Sequence, residues 1–197
     1  MTTGGFGALV LAAGKGTRVG TAKLRLMIGG ETFVRRSVRM LRAAGVDDIV
    51  CIVSQEDAAW AVDELSDVEV LANSAVAGDM LSSVRLGIGA LASCRGVLIL
   101  PVDHPCVAER TVLRLLEAGR REEESVITPV HNDQAGHPIL IPYGIFRTVL
   151  ASEEGDTLRD IIAASGLSVL RVPVDDPGVL RNINTRDDLS SLSTTEY

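Results

Sequence analysis

Aromatic side chains are scarce in this chain. Three phenylalanines, two tyrosines and one tryptophan make up 3% of 197 residues, too few to build the row of stacking platforms that single-stranded nucleic acids use. A cationic excess is missing as well. The formal net charge is -7, and a surface without clustered cations cannot displace counterions from a phosphodiester backbone. Nucleic acid is thereby excluded as a general partner, whereas a small phosphate-bearing molecule held by a few local cations is not. No apolar run approaches the roughly 20 residues that span a bilayer, so no membrane partner is expected. The three cysteines, Cys51, Cys94 and Cys106, stand far apart and form no CxxC pair. That spacing argues against structural zinc or a disulfide framework, and for buried thiols that pack as small hydrophobes. The opening MTTGGFG carries no basic segment of a signal peptide before strand-like sequence begins, which gives the expectation of a cytoplasmic protein.

What is present is a regular alternation. GALVLAAG (7–14), DIVCIVS (48–54), VEVLAN (68–73), GVLILPVD (96–103), SVITPV (125–130), HPILIP (137–142) and LSVLRVPV (167–174) are continuous apolar runs, the pattern of strands covered on both faces. Helical spacing lies between them. In ETFVRRSVRMLRAAG, Val34, Val38 and Leu41 share a face and Gly45 supplies a stop, and in ERTVLRLLEAGRREEE, Val112, Leu115 and Leu116 repeat the pattern. Strands alternating with helices imply an α/β fold with a mostly parallel sheet built from right-handed crossovers. The short polar link HNDQAG between SVITPV and HPILIP predicts a hairpin-like departure from parallel order. No repeat or linker interrupts the chain, so residues 1–197 are expected to form one domain.

In an open α/β sheet, ligands sit beyond the carboxyl ends of the strands, which makes the loop after the first strand the default site. The stretch LVLAAGKGTRVGTAK (9–23) places Gly14, Gly16 and Gly20 there, with Lys15, Arg18 and Lys23 among them. Glycines let the backbone approach a ligand closely, loop amides cradle phosphate oxygens, and the cations add charge. The same glycines also suit a plain strand-to-helix turn. The loop matches neither GxxxxGK[ST] nor GxGxxG, so neither a P-loop nor a dinucleotide fingerprint is present. Asp103 closes another apolar run. A carboxylate there is either a turn residue or a ligand for Mg²⁺, which takes one or two carboxylates together with substrate phosphates. Thr185 with Asp188, and Thr157 with Asp160, have the spacing of helix-capping boxes.

LAAGKGTRVGTAK resembles the signature LAAGxSxRMGxxK of the nucleotidyltransferases related to the molybdenum cofactor guanylyl- and cytidylyltransferases, with Thr17 and Val19 as departures. The resemblance implies a Rossmann-like three-layer sandwich of the nucleotide-diphospho-sugar transferase type. It also implies that Gly14, Lys15 and Gly16 wrap the triphosphate of an NTP, with the Leu11, Ala12 and Ala13 backbone near the base and Arg18 and Lys23 near phosphate. DHP (103–105) is similar to the family's DxP motif, whose aspartate binds metal, with His104 where the cytidylyltransferase branch often has glutamine. LRNINTRDDL resembles the closing NINTPEDL motif, with Arg186 for proline. By position Asn184 would complete the metal site opposite Asp103, and Asn182 is a weaker candidate. NSAVAGDMLSSVRLGI resembles the cytidylyltransferase-like stretch that lies beside the nucleotide, around Gly78, Ser82 and Ser83, although serines there also suit a helix cap. AGHPILIP is similar to the GHPxxxP stretch bordering the acceptor pocket, which sets His137 either against the acceptor or in a structural role at strand entry. EEGDTLRDII resembles an acceptor-side motif but has one residue fewer between Asp156 and Arg159.

The expected activity is Mg²⁺-dependent transfer of CMP from CTP to molybdopterin, with pyrophosphate released and a molybdenum enzyme as the onward partner. Two alternatives keep the loop and change the outcome. One is the same transfer to a sugar phosphate or another phosphorylated metabolite, and the other is a non-catalytic carrier of nucleotide or cofactor.

Overall fold

Strand β1 (Phe6–Ala12) runs through the middle of the molecule, and its side chains divide the interior in two. Ala8, Val10 and Ala12 enter one apolar core, while Leu9 and Leu11 enter another on the opposite face of the sheet. The computed structural model describes residues 4–14, 22–74, 80–153 and 155–192. After a 3-10 turn at Lys23–Arg25 come a small hairpin of β2 (Met27–Ile28) and β3 (Glu31–Thr32), then α1 (Phe33–Ala43). β4 (Asp48–Ser54), α2 (Ala58–Glu64), β5 (Glu69–Asn73), α3 (Met80–Ala90), β6 (Gly96–Pro101) and α4 (Glu109–Arg121) follow. The later part holds β7 (Val126–His131), β8 (Gln134–Ala135), β9 (Ile139–Pro142), α5 (Phe146–Leu150), α6 (Leu158–Ala164), β10 (Val169–Pro173) and α7 (Arg186–Leu192).

The main sheet has the order β10-β7-β9-β6-β1-β4-β5, with β8 beside β7. β1 pairs in parallel with β4 and β6, β4 with β5, and β10 with β7, whereas β9 runs antiparallel to both β6 and β7. Helices α1, α2 and α4 cover one face and α3, α5 and α6 the other, which is the α/β/α sandwich expected from the doubly apolar strands. The hairpin expected at HNDQAG is also present, in a tighter form. Asn132 and Asp133 take left-handed φ values of 48° and 62°, the turn that matches strand twist, and the chain doubles back as β8 before β9 inserts between β6 and β7.

The α1 start is capped by Thr32, whose side chain accepts from the Arg35 amide at 3.3 Å, and Gly45 follows the helix at a φ of 82°, where a side chain would strain. Phe33, Val34, Val38 and Leu41 are buried beneath it, as the periodicity requires. Strand ends shift slightly from the apolar runs. β6 stops at Pro101, so Asp103 sits in the turn beyond the strand, and β9 begins at Ile139, after the cis His137–Pro138 peptide. The three thiols are buried and form no disulfide, and burial pushes Cys51 up to about 12 and Cys94 up to about 11, so both stay protonated. Among the described residues no helix is long and apolar enough to cross a membrane.

Candidate functional site

Every strand of the main sheet except β8 and β9 points its carboxyl end to one edge, and the candidate residues gather there. The Val102 amide donates to the Leu11 carbonyl at 3.0 Å, so the ends of β6 and β1 are sealed together just before Asp103. The His104 amide then donates to the Pro101 carbonyl at 3.1 Å and closes the turn. On the other side, the Ile183 amide donates to the Asp103 carbonyl at 2.8 Å and brings the next residue, Asn184, against the same turn.

Lys23 enters from the 3-10 turn after the loop. Leu24 beneath it is fully buried, and Arg25 pairs with Asp57 at 2.7 Å while lying 4.6 Å from the centre of the Trp60 ring, so the turn is anchored on two sides. From there the Lys23 ammonium donates to Asp103 Oδ2 at 2.7 Å and to Asn184 Oδ1. Asp103 Oδ1 lies 3.0 Å from His104 Nδ1, and because a carboxylate only accepts, the imidazole must carry its proton on Nδ1. Burial is the largest influence on the Asp103 carboxyl and resists its ionisation. The hydrogen bonds from His104 and Lys23, with the Lys23 charge, outweigh it and hold the group below the usual carboxylate range. A carboxylate and an amide oxygen therefore converge on one positive charge. Both are hard donors of the kind that Mg²⁺ and similar cations take.

His137 packs edge-on against His104, with ring centres 4.9 Å apart. Its Nδ1 is buried and has no hydrogen-bond partner among the described residues, while the ring also bonds the Ile99 backbone. Burial first, and then the nearby His104, lower the imidazole to about 4, so His137 is neutral at ordinary pH. Gly136 before it is required by packing: a Cβ there would lie 2.3 Å from the Val179 carbonyl oxygen, which accepts from the His137 amide at 2.9 Å.

The remaining expected residues divide into two groups. Leu11 and Ala12 are buried and Leu11 gives its carbonyl to Val102, which leaves Ala13 and the exposed Gly14 as the accessible backbone at the end of β1. Ser82 and Ser83 lie at the far side of the edge, on α3 after β5, which is three strands from β6 or about 14 Å at the usual strand spacing. They are not helix caps, because α3 already includes Met80. Instead both hydroxyls accept from the Asn73 side-chain amide, at 2.8 and 2.9 Å. Lys15, Gly16, Arg18, Gly20 and Gly78 lie outside the described residues. Asn182 is exposed, one residue short of the buried Ile183 that leads into Asn184. Asp156 closes its own turn by accepting from the Glu153 amide at 2.9 Å, while Arg159 lines a cleft of about 490 Å³ between the first turns of α3 and α6.

The family model of the MobA-like NTP transferase domain matches residues 8–169. The chain belongs to that family. It is similar to a probable molybdenum cofactor guanylyltransferase of Opitutus terrae, 32% identical over 120 residues, or 60% of this chain and 57% of that protein. It is also similar to a bifunctional enzyme IspD/IspF of Anaeromyxobacter dehalogenans, 34% identical over 118 residues, or 58% of this chain and 30% of that enzyme. The chain thus spans little more than half of the first curated relative and a smaller share of the second. The fold is shared with the protein Rv0371c of Mycobacterium tuberculosis H37Rv, at a TM-score of 0.84 and 24% identity over 99% of this chain and 100% of that one. A complex of Rv0371c with manganese gives 0.78 and 22% over 97% and 100%.

Within this family member, Asp176 is a residue that sequence reading passed over. It is buried at 3% exposure, accepts from the Ala108 amide (2.9 Å), Thr111 Oγ1 (2.6 Å) and the Gly178 amide (2.9 Å), and ties the segment leading to Asn184 onto the start of α4. Its only sequence signal is the Asp-Pro-Gly turn at 176–178, which reads as an ordinary loop.

Proposed function

We propose that this chain is a divalent-metal-dependent nucleotidyltransferase that joins the CMP moiety of CTP to molybdopterin and releases pyrophosphate. The observation that carries the reaction type is the meeting of Lys23, Asp103 and Asn184, which stand 80 and 161 residues from Lys23 in sequence, at the carboxyl edge of the sheet. The donor set fits a divalent cation. Among the described residues no three His, Cys, Asp or Glu side chains gather into a metal centre, so Asp103 and Asn184 would share the ion with substrate phosphates. When bound, such a cation neutralises charge on the phosphates and orients them.

The chain's own groups do the rest. A phosphate nucleophile is already ionised at neutral pH, so no general base is required, and catalysis rests on alignment and charge neutralisation. Asp103 and Asn184 would hold the cation, and Lys23 would neutralise charge on the triphosphate. The resemblance assigns Arg18, Lys15, Gly14 and Gly16 to the triphosphate and Leu11, Ala12, Ala13, Gly78, Ser82 and Ser83 to the nucleoside, and at the end of β1 it is Ala13 and Gly14 whose backbone is accessible for this. His137, neutral and half-buried, would shape the acceptor side without adding charge, and the cleft beside Arg159 offers room for an acceptor. The guanylyltransferase similarity of the Opitutus terrae relative favours a second reading in which GTP replaces CTP.

Pyrophosphate release tests both. Mg²⁺ or Mn²⁺ would be supplied with CTP, GTP, ATP and UTP in turn, and with molybdopterin or a panel of sugar phosphates as acceptor. Release with CTP only when molybdopterin is present is the expected outcome; release with another pair moves the substrate and keeps the mechanism. Nucleotide binding without release in any combination would replace the enzyme reading with that of a carrier. Asp103→Ala should lower turnover about a thousandfold or more while the far-UV spectrum stays unchanged.

A further inference from the structure

Lysine is rare in this chain: of nineteen Lys and Arg, only Lys15 and Lys23 are lysines. Arginine therefore supplies the cations nearly everywhere else, and its planar fork suits fixed pairing, as Arg39 shows by donating to both oxygens of Glu31. Lys23 differs in kind. It is a compact charge on a flexible four-carbon stem, its side chain 20% exposed, and its ammonium takes Asp103 Oδ2 and Asn184 Oδ1 at once. These are the same two oxygens that the metal reading assigns to a divalent cation.

The Asp103 carboxylate and the Asn184 backbone are anchored independently of Lys23. Asp103 is held at its other carboxylate oxygen by His104 and at its backbone by the Ile183 amide. The Asn184 and Thr185 amides both donate to Asp188 Oδ2 at 2.9 Å, which anchors Asn184 at the start of α7. The root of Lys23 is fixed too, through Leu24 and the Arg25–Asp57 pair. The Lys23 ammonium sits at the end of a flexible four-carbon stem, so it can leave these oxygens without disturbing the anchors of either side.

We infer that Lys23 is an internal competitor for the metal position, holding Asp103 and Asn184 ready and yielding them when a nucleotide offers its own negative charge to the ammonium. The inference rests on the metal site proposed above. Its consequence is a coupling between ligands: a cation alone must displace a tethered positive charge, whereas a cation arriving with a triphosphate gives that charge a new partner. Arginine would defeat the exchange, because a forked guanidinium holds a carboxylate more firmly and gives it up less readily.

The test is Mn²⁺ alone, titrated without nucleotide and followed by electron paramagnetic resonance, with thermal unfolding as a second readout. Lys23→Met should bind Mn²⁺ about tenfold or more tightly than the parent protein, and the ion should raise its melting temperature more. Lys23→Arg should bind no more tightly than the parent, and Asp103→Asn should lose binding. Equal affinity in Lys23→Met and the parent, with binding lost in Asp103→Asn, overturns the exchange and leaves the metal site standing. Tighter binding in Lys23→Arg overturns it as well, as does an absence of Mn²⁺ binding in both the parent and Lys23→Met. Binding that persists in Asp103→Asn overturns the exchange and the metal site together.

Discussion

At His137, burial and the neighbouring His104 ring push the imidazole to about 4 from its ordinary 6.5, against the pull of Asp103 and the Ile99 backbone. The folded protein therefore refuses a proton that the unfolded chain accepts. The stability this confers is complete above about pH 6.5 and drains away as the pH falls from there toward 4. Asp103 works in a lower window. Its carboxyl is held below the ordinary 3.8, so its contribution persists until the pH drops beneath that value. Melting temperature measured between pH 7 and pH 4 should decline in the parent, and His137→Gln should flatten the decline. An unchanged slope in the variant would locate the acid sensitivity elsewhere. At this scale the sequence was partly legible. Asp103, Lys23 and Asn184 stand out by motif, but the pairing of His104 with Asp103 and the burial of His137 Nδ1 depend on what packs around them.

Helix starts were readable because a capping box is local. Thr185 and Asp188 exchange backbone bonds at 3.1 and 2.9 Å, and Thr157 accepts from the Asp160 amide at 3.2 Å, as their spacing predicts. Ser82 and Ser83 broke the expectation of a cap because the helix starts before them and Asn73 takes their hydroxyls. The segment ahead of α7 depends on a contact that spacing does not reveal. Asp176 joins it to residues 65 and 68 positions earlier, through Thr111 and Ala108. Asp176→Asn keeps the shape and replaces one acceptor oxygen with a donor that faces other donors. It should cost about 1–3 kcal/mol in urea unfolding. Because the segment carries Ile183 and Asn184, the variant should also weaken Mn²⁺ binding. A loss of stability with unaltered metal affinity would show that Asn184 is positioned by Asp188 and the Asp103 backbone alone.

The two cores share the strands between them. Leu9 and Leu11 serve one, Ala8, Val10 and Ala12 the other, and neither face keeps its inner surface if the sheet parts. A single cooperative transition is therefore expected for residues 1–197. Fluorescence of Trp60, the only tryptophan and packed against one core, should lose its native signal at the same temperature as far-UV circular dichroism, which reports every helix. Separate midpoints would contradict the one-domain proposal. The strand order tells the same story. β9 pairs antiparallel with both β6 and β7, so strands from both halves of the chain share one sheet, which supports that proposal.

Alone, the amino-acid sequence determined the α/β class, the glycine and cation loop, the aspartate near a strand end and the capped final helix. Each is encoded within a few residues by periodicity, turn chemistry or side-chain charge. Tertiary structure alone decided that Lys23 spans Asp103 and Asn184, that His104 and His137 meet, and that Asp176 holds the segment between them. Those contacts join residues far apart in the chain, and only strand order and the packing of both sheet faces determine which distant side chains share an edge.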